Sequence, residues 1–149
     1  MAIADPRTGH IGLNVTDIDR SRGFYQQVFG FEVLGEGQGD DRRFVFLGSR
    51  GELRLTLWQQ SEGAFDTGRP GLHHLSFQVD SIDEVREAEA VLRGLAVDFA
   101  HDGVVPHGEG ADSGGIFFTD PDGIRLEIFA PTGAGGVAPI AGAPTCGFF

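Results

Sequence analysis

The sequence predicts an α+β fold, built as two tandem βαβββ modules whose strands form a cupped, barrel-like mixed sheet with the helices outside. Three observations carry this. First, an amphipathic strand at His10–Val15 returns 64 residues later, at His74–Val79. Second, the match runs without a gap from His10 to Val33: Val15 falls on Val79, Ile18 on Ile82, Asp19 on Asp83, Gly30 on Gly94 and Val33 on Val97. In-register coincidence at positions with separate structural roles points to internal duplication. Third, a cleanly alternating strand at 52–58 matches 123–129 at an offset of 71, so that Arg125 falls on Arg54, Glu127 on Thr56 and Phe129 on Trp58.

Taken in order, strand His10–Val15 sets Ile11, Leu13 and Val15 against His10, Gly12 and Asn14, one set per face. Thr16 or Asp17 can cap the helix that follows. Ile18, Phe24, Tyr25, Val28 and Phe29 recur at helical spacing and define its apolar side, and Gly30 ends it. Phe31–Leu34 is expected as a short strand, 35–41 as a Gly/Asp-rich loop with a solvated acidic turn at Asp40 and Asp41, and Arg43–Leu47 as a third strand. After a turn at Gly48–Gly51, Leu53, Leu55 and Leu57 oppose Glu52, Arg54, Thr56 and Trp58.

Residues 59–71 read as a linker. The second module is expected over 72–131 and the first over 8–60, within one domain spanning 8–131. His74, Ser76 and Gln78 share a face opposite Leu75, Phe77 and Val79. Ser81 and Glu84 have capping-box spacing, Ile82, Val85, Ala88 and Leu92 form the apolar side of the second helix, and Gly94 is expected to end it. Then come a strand at Val97–His101, a long loop at 102–115 holding His107, a strand at Ile116–Thr119, an Asp-Pro-Asp-Gly turn and a last strand at Ile124–Phe129. From Pro131 the chain is Gly, Ala and Pro with few anchors, so 132–149 is expected to be poorly ordered.

Composition excludes several functions. The 149 residues, 40% hydrophobic, suit one compact domain. The net charge is −11 and all 11 basic residues are Arg without a cluster, so no nucleic-acid partner is expected. No apolar run is long enough for a membrane span, and the opening residues do not read as a signal peptide. The single cysteine, Cys146, fits a reducing cytoplasm.

His10, His74 and Glu127 each sit on the polar face of an amphipathic strand. If each helix covers the apolar face of its module, the polar faces line the concave side. Two imidazoles and a carboxylate there make a three-ligand divalent-metal site with positions left open for substrate. A lone histidine at a strand start is more often a surface or packing residue; the repeat-related pair plus Glu127 argues for ligands. His107, in a Gly-flanked loop, is balanced between catalytic help and plain exposure. His73, directed to the opposite face, and His101, at a strand end, are read as structural. Thr56, Trp58, Phe117 and Phe129 are candidate pocket walls, the aromatic ones balanced against mere filling.

The stretches His10-Ile-Gly-Leu-Asn-Val-Thr-Asp-Ile-Asp, Phe24-Tyr25, Phe29-Gly30-Phe31, His74-Leu-Ser-Phe-Gln-Val and Asp120-Pro-Asp-Gly-Ile-Arg-Leu-Glu127 resemble the vicinal oxygen chelate superfamily, over residues 8–131. That superfamily includes glyoxalase I, bleomycin-resistance proteins, type I extradiol dioxygenases, fosfomycin-resistance thiol transferases and methylmalonyl-CoA epimerase. The resemblance implies a divalent transition metal (Fe, Mn, Ni, Co or Zn), a small substrate chelated through vicinal oxygens, and a homodimer. Lyase or isomerase chemistry leads, with Glu127 as a possible proton shuttle; extradiol-like dioxygenase chemistry and a metal-free, bleomycin-resistance-like ligand trap are the alternatives. Two departures bear on the choice. Thr56 stands where glyoxalase I has a Glu ligand, and Phe117 stands ten residues before Glu127, where the extradiol dioxygenases place a Tyr.

Overall fold

A computed structural model describes residues 2–39 and 42–149, so the turn expected at Asp40 and Asp41 lies outside the described residues. The chain clusters into two compact units, Met1–Gly63 and Ala64–Phe149.

The first unit runs β1 (Ile11–Val15), α1 (Ile18–Phe29), β2 (Glu32–Gly39), β3 (Arg42–Ser49) and β4 (Glu52–Gln59). Its four-stranded sheet has the order β1-β4-β3-β2, parallel at β1–β4 and antiparallel elsewhere. A parallel pair needs a crossover longer than a hairpin, and α1 opens that connection. Asp17 caps α1 by accepting from the Arg20 amide at 3.1 Å, and the Gln59 side chain accepts from the Ile18 amide at 2.9 Å. Gly30 closes the helix in the left-handed conformation, φ 66°. Leu13, Val15, Ile18, Phe24, Tyr25, Val45, Leu47, Leu55 and Leu57 form the core. Full burial of each aliphatic side chain contributes roughly 1.5–3 kcal/mol.

The expected loop at 35–41 is instead strand as far as Gly39. Glycine normally weakens a strand, but here it makes room for a neighbour. A Cβ on Gly37 would lie 2.7 Å from the Phe44 ring, and one on Gly35 would lie 3.5 Å from Phe46. Phe44 and Phe46 thus cover the glycines they pair with across the β2–β3 ladder.

The second unit repeats the plan: β5 (Leu75–Gln78), α2 (Ile82–Gly94), β6 (Val105–Pro106), β7 (Gly114–Thr119), β8 (Arg125–Ala130), then a 3-10 turn at Thr145–Gly147. The sheet order β5-β8-β7-β6 is the same, again with the first and last long strands parallel. Register agrees with the duplication. Gly12 pairs with Thr56 in the first sheet, and Ser76 pairs with Glu127 in the second. The two independent offsets, 64 and 71, therefore meet at one equivalent ladder position. Each sheet is an open four-stranded layer rather than a closed barrel.

Two expectations need correction here. Val97–His101 is not a full strand. The outer edge of β7 is paired in two fragments, a bridge at Phe99–Phe118 and then β6, which lies inside the expected 102–115 loop. The chain bends between them, with Gly103 at φ 68°. Helix α2 has the predicted Ser81–Glu84 capping box, but Gly94 remains helical and the left-handed residue beyond the end is Ala96, φ 54°.

Residues 132–149, which composition leaves without a docking site, make specific contacts. The Gly133 and Ala134 amides donate to Asp112, and Thr145 is fully buried. Among the described residues no helix is long and apolar enough to cross a membrane.

Candidate active site

In the second unit, strand alternation puts Leu75, Leu126 and Ile128 in the core and sends Ser76 and Glu127 to the other face. Ser76, Glu127 and Phe117 form one row across β5, β8 and β7. His74 lies immediately before β5, on the Ser76 side. Glu127 is 3% exposed, an unusual position for a carboxylate unless it has partners.

Its partners are two imidazoles. Oε1 is hydrogen-bonded by Nε2 of His107, and Oε2 lies 3.7 Å from Nε2 of His74. The second distance exceeds a hydrogen bond. His107 is held at both ends, since its Nδ1 pairs with the Ser113 hydroxyl at 2.9 Å. A carboxylate oxygen accepts, so Nε2 carries the proton of the Glu127 bond. In the neutral ring Nδ1 then accepts from Ser113. The β6–β7 pairing fixes this loop, reinforced by the His107 amide donating to the Ser113 carbonyl at 2.9 Å. Gly114 and Gly115 allow the close approach: a Cβ on Gly114 would meet the Val105 carbonyl at 2.3 Å, and one on Gly115 the Ile128 carbonyl at 1.9 Å.

Burial lowers the pKa of His74, and the His73 ring and Arg125 act the same way, against the opposing pull of Glu127. This favours the neutral His74 ring, the form a metal ligand requires. Its Nδ1 lies 2.8 Å from Nδ1 of His73, so one ring donates to the other. Phe117, fully buried, and Phe129 wall the cluster, with ring centroids 6.4 and 5.0 Å from that of His107.

The structure thus gathers His74, Glu127, His107, Phe117 and Phe129. His10, Thr56 and Trp58 belong to the first unit. His10 is exposed and directly precedes β1, the place His74 has before β5. Thr56 is 2% exposed, and its hydroxyl accepts from the Trp58 indole at 3.0 Å. Trp58 lines a shallow hollow of about 400 Å³ with Gly12, Leu13, Asn14 and Gln60. Among the described residues no group of three or more His, Cys, Asp or Glu is arranged to hold a metal ion. A buried carboxylate with an imidazole 3.7 Å away is nevertheless a pair of donor types that divalent transition metals take.

Sequence reasoning missed Ser113, Arg125 and Phe149 at this site. Phe149 places its ring 5.5 Å from that of His74, and the Arg125 guanidinium lies 5.6 Å from the Phe149 ring centre. His101 turns edge-on to Phe117 at 5.6 Å, with its Nε2 buried and unpartnered among the described residues.

Comparison with known proteins bears on this arrangement. Residues 7–128 match the model of the Glyoxalase/Bleomycin resistance protein/Dioxygenase superfamily. A catechol-2,3-dioxygenase of Bacillus subtilis (strain 168) is 28% identical over 129 residues, 85% of this chain. The chain spans only 42% of that relative's length. Among solved structures, a glyoxylase/bleomycin resistance protein/dioxygenase domain from Frankia sp. EAN1pec superposes with a TM-score of 0.74 at 28% identity, covering 89% of this chain and 96% of the other. The fosfomycin resistance protein FosX of Listeria monocytogenes, in a mutant form complexed with Mn(II) and 1S,2S-dihydroxypropylphosphonic acid, shares the fold. Its TM-score is 0.66 at 23% identity, covering 88% of this chain and 95% of the other.

Proposed function

The chain belongs to the Glyoxalase/Bleomycin resistance protein/Dioxygenase superfamily, and on that premise we propose that it is a divalent-metal-dependent enzyme of lyase or isomerase type. Its substrate is a small molecule bound through two adjacent oxygens. The observation that carries this reading is the buried Glu127 carboxylate with His74 at one oxygen and His107 at the other. In this reading His10, His74 and Glu127 are the residues that would hold the ion. When bound, Fe, Mn, Ni, Co or Zn supplies Lewis acidity to an oxygen that gains negative charge.

The chain's own residues then divide the remaining work. His107, fixed at Nδ1 by Ser113, holds a proton at Nε2 and exchanges it with Glu127 or with substrate. This makes the Glu127–His107 pair the proton shuttle, rather than Glu127 alone. Phe117 and Phe129 exclude water and so strengthen electrostatic interactions within the site. Thr56 has no acid–base capacity near neutral pH, and its hydroxyl is engaged by Trp58. The same reading takes the protein as a homodimer.

A second reading, ring-cleaving dioxygenase, is favoured by the catechol dioxygenase relative. It would rely on His107 for acid–base work, because Phe117, paired with Glu127 across the sheet, has no hydroxyl.

The test is metal content of protein purified without chelator, for wild type, His74→Ala and Glu127→Gln, with thermal melting before and after chelation. The expected result is close to one ion per chain in wild type and loss in both variants. Free metal at a hundredfold excess over Kd should add about 2.7 kcal/mol of stability. Oxygen uptake with a vicinal diol would select the dioxygenase reading over the isomerase or lyase. No metal in any protein, and no shift on adding any, would refute both and leave the metal-free ligand trap.

A further inference from the structure

We propose that residues 144–149 form a strap that closes the candidate site, in which Thr145 positions His107 and Phe149 gates His74; the proposal rests on reading His74 and Glu127 as functional. The surrounding Gly, Ala and Pro residues offer little to bury, yet the strap is held at defined atoms. The Thr145 hydroxyl donates to the Pro106 carbonyl at 2.7 Å, and its amide donates to the His107 carbonyl at 2.8 Å. Both acceptors belong to the loop that aims the His107 ring at Glu127. Thr145 is fully buried, so removing its hydroxyl would leave the buried Pro106 carbonyl without that donor and with no water to replace it.

The 3-10 turn at Thr145–Gly147 then carries the chain back over the site. Phe148 projects outward, 47% exposed, whereas the Phe149 ring settles against His73, His74, Phe117 and Arg125. It lies 5.5 Å from His74 at a tilt of 31°, 5.3 Å from Phe117 edge-on, and beside the Arg125 guanidinium. One short segment therefore touches the backbone of one site histidine and the ring of the other. The anchor is a pair of buried hydrogen bonds; the gate is ring contact alone. That asymmetry lets Phe149 swing out while Thr145 stays seated, so His107 keeps its aim when the site opens. A molecule approaching His74 and Glu127 from this side must first displace the ring.

The test is the rate at which diethyl pyrocarbonate acylates His74 in the full, chelator-treated chain, read by peptide mass spectrometry, with N-acetylhistidine added to each reaction as internal reference. Phe149→Ala should accelerate His74 roughly fivefold, the shift expected from losing one aromatic contact, and Thr145→Val, which removes the anchor of the strap, should accelerate it as well. Thr145→Ser should retain the wild-type rate, and the added reference should react equally in all reactions. Equal His74 rates in wild type and Phe149→Ala would overturn the proposal, even if Thr145→Val fails to fold. In a parallel arm, Co(II) absorbance should develop faster in Phe149→Ala than in wild type. Absence of Co(II) binding in both would count against the metal reading, while His74 acylation would still decide the strap.

Discussion

Replacing His107 with alanine removes the hydrogen-bond donor from a carboxylate that is 3% exposed. The nearest remaining nitrogen described for Glu127, Nε2 of His74, is 3.7 Å from its other oxygen and does not compensate. Leaving a buried acceptor unsatisfied costs about 1–3 kcal/mol, and more when it is charged. Lost ring contacts with Phe129 and Phe117 add about 1 kcal/mol. The expected destabilisation is about 2–4 kcal/mol, or a Tm lower by about 6–12 °C for a chain of this length. The assay is thermal unfolding by near-ultraviolet circular dichroism at neutral pH with chelator present, so that no bound ion contributes. His107→Gln, which keeps an amide donor, should recover part of the loss. In a Glu127→Gln background the cost of His107→Ala should fall to about 2 kcal/mol, the low end of that range, because the acceptor is neutral. A melt within a degree or so of wild type, or the same cost in both backgrounds, would refute the view that His107 and Glu127 act as a pair.

Acid should weaken the second unit through His74. Its pKa in the folded chain is lowered from 6.5, chiefly by burial, so the unfolded chain binds the proton first. The stabilising contribution is full above pH 6.5 and is lost as pH falls towards the folded value. Denaturant unfolding across this range, with chelator present, should show a smaller decline for His74→Ala than for wild type; parallel curves would contradict the burial argument. Gly115→Ala sets a Cβ 1.9 Å from the Ile128 carbonyl and 2.6 Å from the Phe129 Cα, forcing β7 from β8 beside Glu127. It should cost about 3 kcal/mol or more in urea unfolding, whereas Gly108→Ala, which meets nothing within 4 Å, should stay within about 0.5 kcal/mol.

Where structure follows from residues close together in sequence, this chain is legible without coordinates. The repeat, the caps at Asp17 and Ser81, the Asp120 turn and the alternation at Leu55 and Leu57 depend on local periodicity and short-range hydrogen bonds. The same alternation separates Glu127 from Leu126 and Ile128. Tertiary structure decided the features set by distant partners. The strand through Gly35, Gly37 and Gly39 exists because Phe44 and Phe46 lie across from it. The edge of β7 is shared by two fragments because the chain bends after Ala100, where no periodic signal ends. His107 reaches Glu127, 20 residues on, only through the β6–β7 pairing and the Ser113 contact. Thr145 and Phe149 find buried or aromatic partners that their Gly- and Pro-rich surroundings do not announce. Periodicity assigns a side chain to a face; which side chains meet on that face depends on register, bends and room left by glycine, and those are settled only when the strands pack.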